Sequence, residues 1–171
     1  MSSKKNIICC VGLILASILM VIQSYDNGVS PTPPMGWSTW CTNEICGIPD
    51  RCSEYEVRRK ADAMVENGMV ALGYKWILLD DCWAHTERDA NDELQPSPKL
   101  FPNGMPALIK YVHSRGMKLG LYTCVGTETC KKGRPGSYGH FETDANTFAK
   151  WGVRHIQLLA DYCFKSIIIC N

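Results

Sequence analysis

From Pro31 onward the chain alternates short continuous apolar runs with stretches whose apolar residues recur every three or four positions. Ser53-Glu54-Tyr55-Glu56 has the form of a capping box, and Val57, Ala61, Met64 and Val65 then mark one helical face until Gly68 and Gly73 interrupt it. Lys75 to Leu79 follows as an unbroken apolar run, the pattern of a strand covered on both faces. The order repeats. Met105, Leu108, Ile109 and Val112 predict a second helix, with Pro106 near its start and Gly116 just past its end, and Lys118 to Tyr122 predicts the next strand. Ala145, Phe148 and Ala149 form a third helical stripe closed by Gly152, before the apolar run His155 to Ala160. Strands separated by a helical crossover pair in parallel, and a spacing of about forty residues suits βα units with long loops.

Each apolar run ends in polar or reactive residues: Asp80-Asp81-Cys82-Trp83, Tyr122-Thr123-Cys124 and Asp161-Tyr162-Cys163. In a parallel βα sheet these strand ends share one face, where ligands bind. An adjacent pair such as Asp80 and Asp81 suits a plain turn equally well. Three acids converging on one rim favour carbohydrate or metal chemistry over a turn. Carboxylates accept paired hydrogen bonds from vicinal hydroxyls, and Trp83 or Trp40 could cover the apolar face of a sugar, so the aromatics weight the reading toward carbohydrate.

Composition narrows the class. A formal net charge of +1 leaves no electrostatic footprint for nucleic acid, and 46% hydrophobic with 20% charged residues describes a chain that buries a core. His85, His113, His140 and His155 lack metal-ligand spacing, and Gly120 and Gly126 lack the pattern of a phosphate cradle. Ten cysteines point to an oxidising compartment. Lys4 and Lys5 ahead of the apolar stretch Ile7 to Ile22 read as a secretory signal peptide over residues 1–24. That stretch is shorter than the roughly 20 residues a bilayer span requires, so an uncleaved signal anchor is the lesser alternative and no stable membrane partner is expected after cleavage. Removal of the leader leaves eight of the ten cysteines, an even number that suits disulfides. No Asn-x-Ser/Thr acceptor is present, so glycan-dependent sorting is not expected. The destination is extracellular, lysosomal or vacuolar, and the oligomeric state stays open.

Six ordered motifs carry a resemblance: Pro33-Pro34-Met35-Gly36-Trp37, Leu78-Leu79-Asp80-Asp81-Cys82-Trp83, Phe101-Pro102-Asn103-Gly104, Lys118-Leu119-Gly120-Leu121-Tyr122, Gly136-Ser137-Tyr138-Gly139 and Phe148-Ala149-Lys150-Trp151-Gly152-Val153. In this order the chain resembles the alpha-galactosidase (melibiase) family, glycoside hydrolase family twenty-seven, over residues 31–163. The resemblance implies an α/β fold, a (β/α)₈ TIM barrel of which residues 25–163 hold about the first four βα units, with 164–171 as a divergent tail. It implies hydrolysis of terminal alpha-linked galactose with retention, using neither metal nor cofactor. The alternatives are an alpha-N-acetylgalactosaminidase, or a galactose-binding or nonfunctional product without turnover.

Carried over by position, Trp40, Asp80, Asp81 and Tyr122 are implied to bind the sugar and Asp161 to be the nucleophile. Retention needs a second carboxyl about 5.5 Å away as acid/base. The resemblance places it on a later strand, beyond Asn171, so the chain by itself is expected to be a fragment without turnover. Where the family has a lysine two residues before the nucleophile this sequence has Leu159; a second alignment sets Gln157 there and treats Leu158 and Leu159 as an insertion. The resemblance also implies the disulfides Cys41–Cys82, Cys46–Cys52 and Cys130–Cys163, with Cys124 and Cys170 unassigned.

Overall fold

The computed structural model describes residues 33–40, 52–130 and 133–159, and its first helix begins where the capping box places it. The chain divides into two units, Met1–Pro33 and Pro34–Asn171, and the fold below is that of the second. The expected leader, the tail, and Cys41, Cys46, Asp161 and Cys163 lie outside the described residues. Helix α1 spans Glu54–Glu66. Its cap Ser53 accepts the Glu56 N–H at 3.3 Å, which satisfies one of the amides left open in a first turn. Val57, Ala61 and Met64 turn inward as the spacing predicts, whereas Val65 is exposed, so the buried stripe is narrower than the sequence pattern.

Strand β1 (Gly36–Ser38), β2 (Trp76–Leu79), β3 (Lys118–Cys124) and β4 (His155–Leu159) form one sheet in the order β1-β2-β3-β4. Every neighbouring pair is parallel. Helices α1, α2 (Gly104–Ser114) and α3 (Phe141–Trp151) make the crossovers. Leu119 and Leu121 of β3 join Ile77 and Leu79 of β2 in a core under Met105, Leu108 and Ile109 of α2, while Tyr122 and Cys124 form a separate small cluster. Alternation along β3 therefore gives the helices one face and leaves the other for the barrel interior. Each large aliphatic side chain taken out of water here contributes about 1.5–3 kcal/mol.

The third helix departs from its predicted stripe. Ala145 and Ala149 are exposed, and the buried face is Asp144, Thr147 and Phe148. Arg88, in the loop after β2, donates to both Asp144 carboxylate oxygens at 2.7 and 2.9 Å and to Gly136 O at 2.9 Å. A buried acid with such a partner is invisible to a hydrophobic pattern. Thr147 satisfies its hydroxyl within the helix, on Thr143 O at 2.8 Å.

The disulfide expectations Cys41–Cys82 and Cys46–Cys52 are corrected, because Cys52 is bonded to Cys82 with a Cα–Cα distance of 6.0 Å. Cys52 immediately precedes the cap of α1 and Cys82 follows β2, and both are buried in the same core. That spacing lies within the range a disulfide bridges. Cys124, unassigned by the resemblance, is also disulfide-bonded. Closing a sequence separation of 30 restricts the unfolded chain, so Cys82→Ser is expected to lower the unfolding free energy by roughly 3–4 kcal/mol, read from urea denaturation.

Candidate active site

The ladder fixes which strand ends meet. Ser38 pairs with Leu78, Leu79 with Leu121, and Tyr122 with Gln157. Continuing that register, Trp40, Asp80, Tyr122 and Gln157 fall along one row at the C-terminal edge of the sheet. Three of the four candidate sugar-binding residues are thus brought together by pairing alone, and Asp81 is the next residue past the row. Leu159 stands beside Cys124 in the same ladder.

Asp80 is fixed at both ends of its backbone. Its N–H donates to Thr39 Oγ1 at 2.7 Å, and its carbonyl accepts Cys82 N at 2.6 Å. One carboxylate oxygen, Oδ1, accepts the Asp81 N–H at 2.7 Å. The other, Oδ2, is buried and among the described residues accepts no hydrogen bond. Asp80 is 4% exposed, and burial pushes its carboxyl above the ordinary value of 3.8 despite the Asp81 amide.

A raised carboxyl has a definite consequence for stability. The protonated form is the one the fold favours, so the contribution of Asp80 is fully present below 3.8 and is lost as pH rises through the raised value. Asp80→Asn removes that loss. The variant is expected to be more stable than the parent at neutral pH, with the difference closing on acidification toward pH 4, as read by urea denaturation across pH. A difference independent of pH would refute the assignment.

Tyr122 is buried, and its hydroxyl donates to Cys130 Sγ at 3.3 Å while accepting the Cys130 N–H at 3.4 Å. Burial foremost, then the bond to Cys130 and the negative charge of Asp81, holds the phenol well above its ordinary value. It stays protonated, with its hydrogen committed to Cys130 Sγ. The Cys130 partner expected from sequence, Cys163, lies outside the described residues. Trp40 is 49% exposed at the end of β1, with its indole available to a ligand. Trp83 is not: it is 1% exposed, its Nε1–H donates to Tyr122 O at 2.8 Å, and it packs edge-on against Phe148 and Trp151. Its role is to brace the rim from the core side.

Sequence reasoning missed two participants. Thr39 holds the Asp80 amide, and the only hint was its place beside Trp40. Arg134, in the loop between β3 and α3, donates through Nε to Ala84 O at 2.9 Å and brings Nη1 to 3.9 Å from Asp81 Oδ1. That loop folds back on itself, with Thr129 N bonded to Arg134 O at 3.0 Å. Nothing in its sequence pattern announces the approach. Among the described residues no group of three His, Cys, Asp or Glu side chains is arranged to hold a metal ion.

Parallel strands, helical crossovers and a rim of carboxylates at the strand ends define this fold as part of a (β/α)₈ barrel of the glycosidase kind. The family model described as alpha galactosidase A matches residues 32–169, and the chain belongs to that family. It is 50% identical over 131 residues to an alpha-galactosidase of Coffea arabica, the match covering 77% of this chain and 33% of that protein. The crystal structure of alpha-galactosidase I from Mortierella vinacea superposes with a TM-score of 0.71 at 36% identity, covering 81% of this chain and 33% of that one. A Saccharomyces cerevisiae alpha-galactosidase with raffinose superposes at 0.70, again at 36% identity, over 80% of this chain and 28% of that one. The chain thus spans about a third of the length of the relatives it matches.

Proposed function

We propose that this chain supplies the galactose-binding rim and the nucleophile of a retaining alpha-galactosidase. The observation that carries the reading is Asp80 Oδ2, a buried carboxylate oxygen that accepts no hydrogen bond among the described residues, set on a strand end in a chain of this family. Such an oxygen is costly while unpaired and becomes satisfied when a sugar hydroxyl donates to it. Asp81 adds a second acceptor, Trp40 offers an aromatic face to the C–H side of the ring, and Tyr122 bounds the pocket. Asp161 attacks the anomeric carbon to form a glycosyl ester while a second carboxyl protonates the leaving oxygen; water then releases galactose with its configuration retained. The leader over residues 1–24 takes the protein into the secretory pathway, where the disulfides form.

The test is a graft in which residues 33–163 replace the matching segment of the Coffea arabica alpha-galactosidase. Release of nitrophenol from its alpha-galactoside at a rate comparable to the parent enzyme is the expected result. A folded graft that binds and hydrolyses no galactoside would overturn the reading.

A further inference from the structure

Trp40 presents its exposed indole just past a strand only three residues long, so something other than a long ladder must hold its backbone in place. Thr39, the residue before it, is 0% exposed and is tied to β2 and the segment after it. Its N–H donates to Leu78 O at 3.0 Å, its Oγ1 accepts the Asp80 N–H at 2.7 Å, and the same oxygen stands 3.4 Å from Cys82 Sγ. That sulfur is bonded to Cys52 and carries no hydrogen, so the hydroxyl is the donor and the sulfur the acceptor. The hydroxyl therefore both accepts and donates, each time toward the segment that carries the acids of the rim. Branching at Cβ leaves threonine few χ1 rotamers. These bonds fix the backbone from which Trp40 starts, and the Trp40 N–H donates back to Ser38 Oγ at 3.2 Å.

We propose that Thr39 is a positioning residue that sets the Trp40 indole at a fixed spacing from Asp80. The inference rests on the sugar-site reading above and deepens it. An aromatic face and a carboxylate recognise different parts of one sugar ring, the C–H side and the hydroxyls, so a single ring satisfies both only when the two strand ends keep one separation. Backbone pairing does not set that separation by itself. The paired register of β1 with β2 ends at Ser38 and Leu78, and past that point it is the Thr39 side chain that joins the end of one strand to the end of the other. Being wholly buried, Thr39 touches no ligand and acts through its neighbours.

The experiment is a double-mutant cycle in the Coffea arabica graft. Thr39→Val keeps the branched shape and removes the hydroxyl, Thr39→Ser keeps the hydroxyl, and each is made alone and together with Trp40→Ala. The readouts are KM and kcat for nitrophenyl alpha-galactoside and the urea midpoint. Thr39→Val is expected to raise KM by roughly 10- to 100-fold with kcat within about 3-fold of the parent, because misplaced binding groups weaken ground state and transition state alike. Thr39→Ser should restore most of the affinity. With Trp40→Ala no indole is left to place, so the Thr39→Val penalty should shrink to less than about 3-fold. A lowered urea midpoint with KM unchanged shows a merely structural role and overturns the inference, as does the same KM penalty in both backgrounds. Thr39→Ala removes the hydroxyl without setting a methyl group against the Asp80 amide, and it carries the same cycle if Thr39→Val does not fold. Failure of the underlying reading looks different: the parent graft would then recognise no galactoside, and the inference would fall with it.

Discussion

Asp161→Asn in the Coffea arabica graft is expected to lower kcat on the order of 10⁴-fold or more, with galactoside binding retained. The amide has nearly the shape of the carboxylate but is a poor nucleophile, so no glycosyl ester forms and both halves of the retaining reaction are lost. The candidate sugar-binding groups at the ends of β1, β2 and β3 are untouched by the substitution, which is why affinity should survive. Burst measurements with a nitrophenyl alpha-galactoside would show neither burst nor turnover. Turnover within a few-fold of the parent would place the nucleophile at another residue and would discard both alignments, since each sets it at Asp161.

Gly36→Ala is expected to prevent folding or to cost about 3 kcal/mol or more. An added Cβ would lie 1.9 Å from Trp76 O and 2.6 Å from its carbonyl carbon. These are backbone atoms and cannot swing aside: Gly36 pairs with Trp76 in the ladder, and the Trp76 N–H is bonded to Met35 O at 3.1 Å. The natural comparison is Gly68→Ala, where φ is +73° and nothing lies within 4 Å. There only the left-handed backbone is strained, at about 1–2 kcal/mol. Urea midpoints of the two variants distinguish the causes; equal losses would mean that the contact with Trp76 relaxes.

Periodicity carried the helices α1 and α2 and the strands β2 and β3, because their buried faces are almost wholly aliphatic. It failed at α3, where Asp144 and Thr147 occupy positions a hydrophobic stripe would fill. Strand β1 is three residues long, too short for any pattern. The candidate site divides in the same way. Asp80, Asp81 and Tyr122 stand directly after apolar runs, so their meeting at one edge follows from parallel pairing. Trp83 shares that position in sequence, yet the chain turns there and drives its ring into the core. Arg134 arrives from a loop whose path depends on long-range closure, which no local spacing encodes. The pairing of Cys52 with Cys82 depends likewise on how the start of α1 packs under the end of β2.

The Arg88–Asp144 pair bears on how such barrels can be recombined. Its two side chains are 10% and 2% exposed, and they join the loop after β2 to the helix after β3. A βα unit is often treated as the interchangeable module of this architecture, yet here a crossover point anywhere between Arg88 and Asp144 would draw the two charges from different parents. A parent lacking either one would leave the other buried and unneutralised, at about 3–5 kcal/mol. The heritable module on this side of the barrel is therefore a double unit, running from the end of β2 through α3, and Asp80 and Asp81 travel with it.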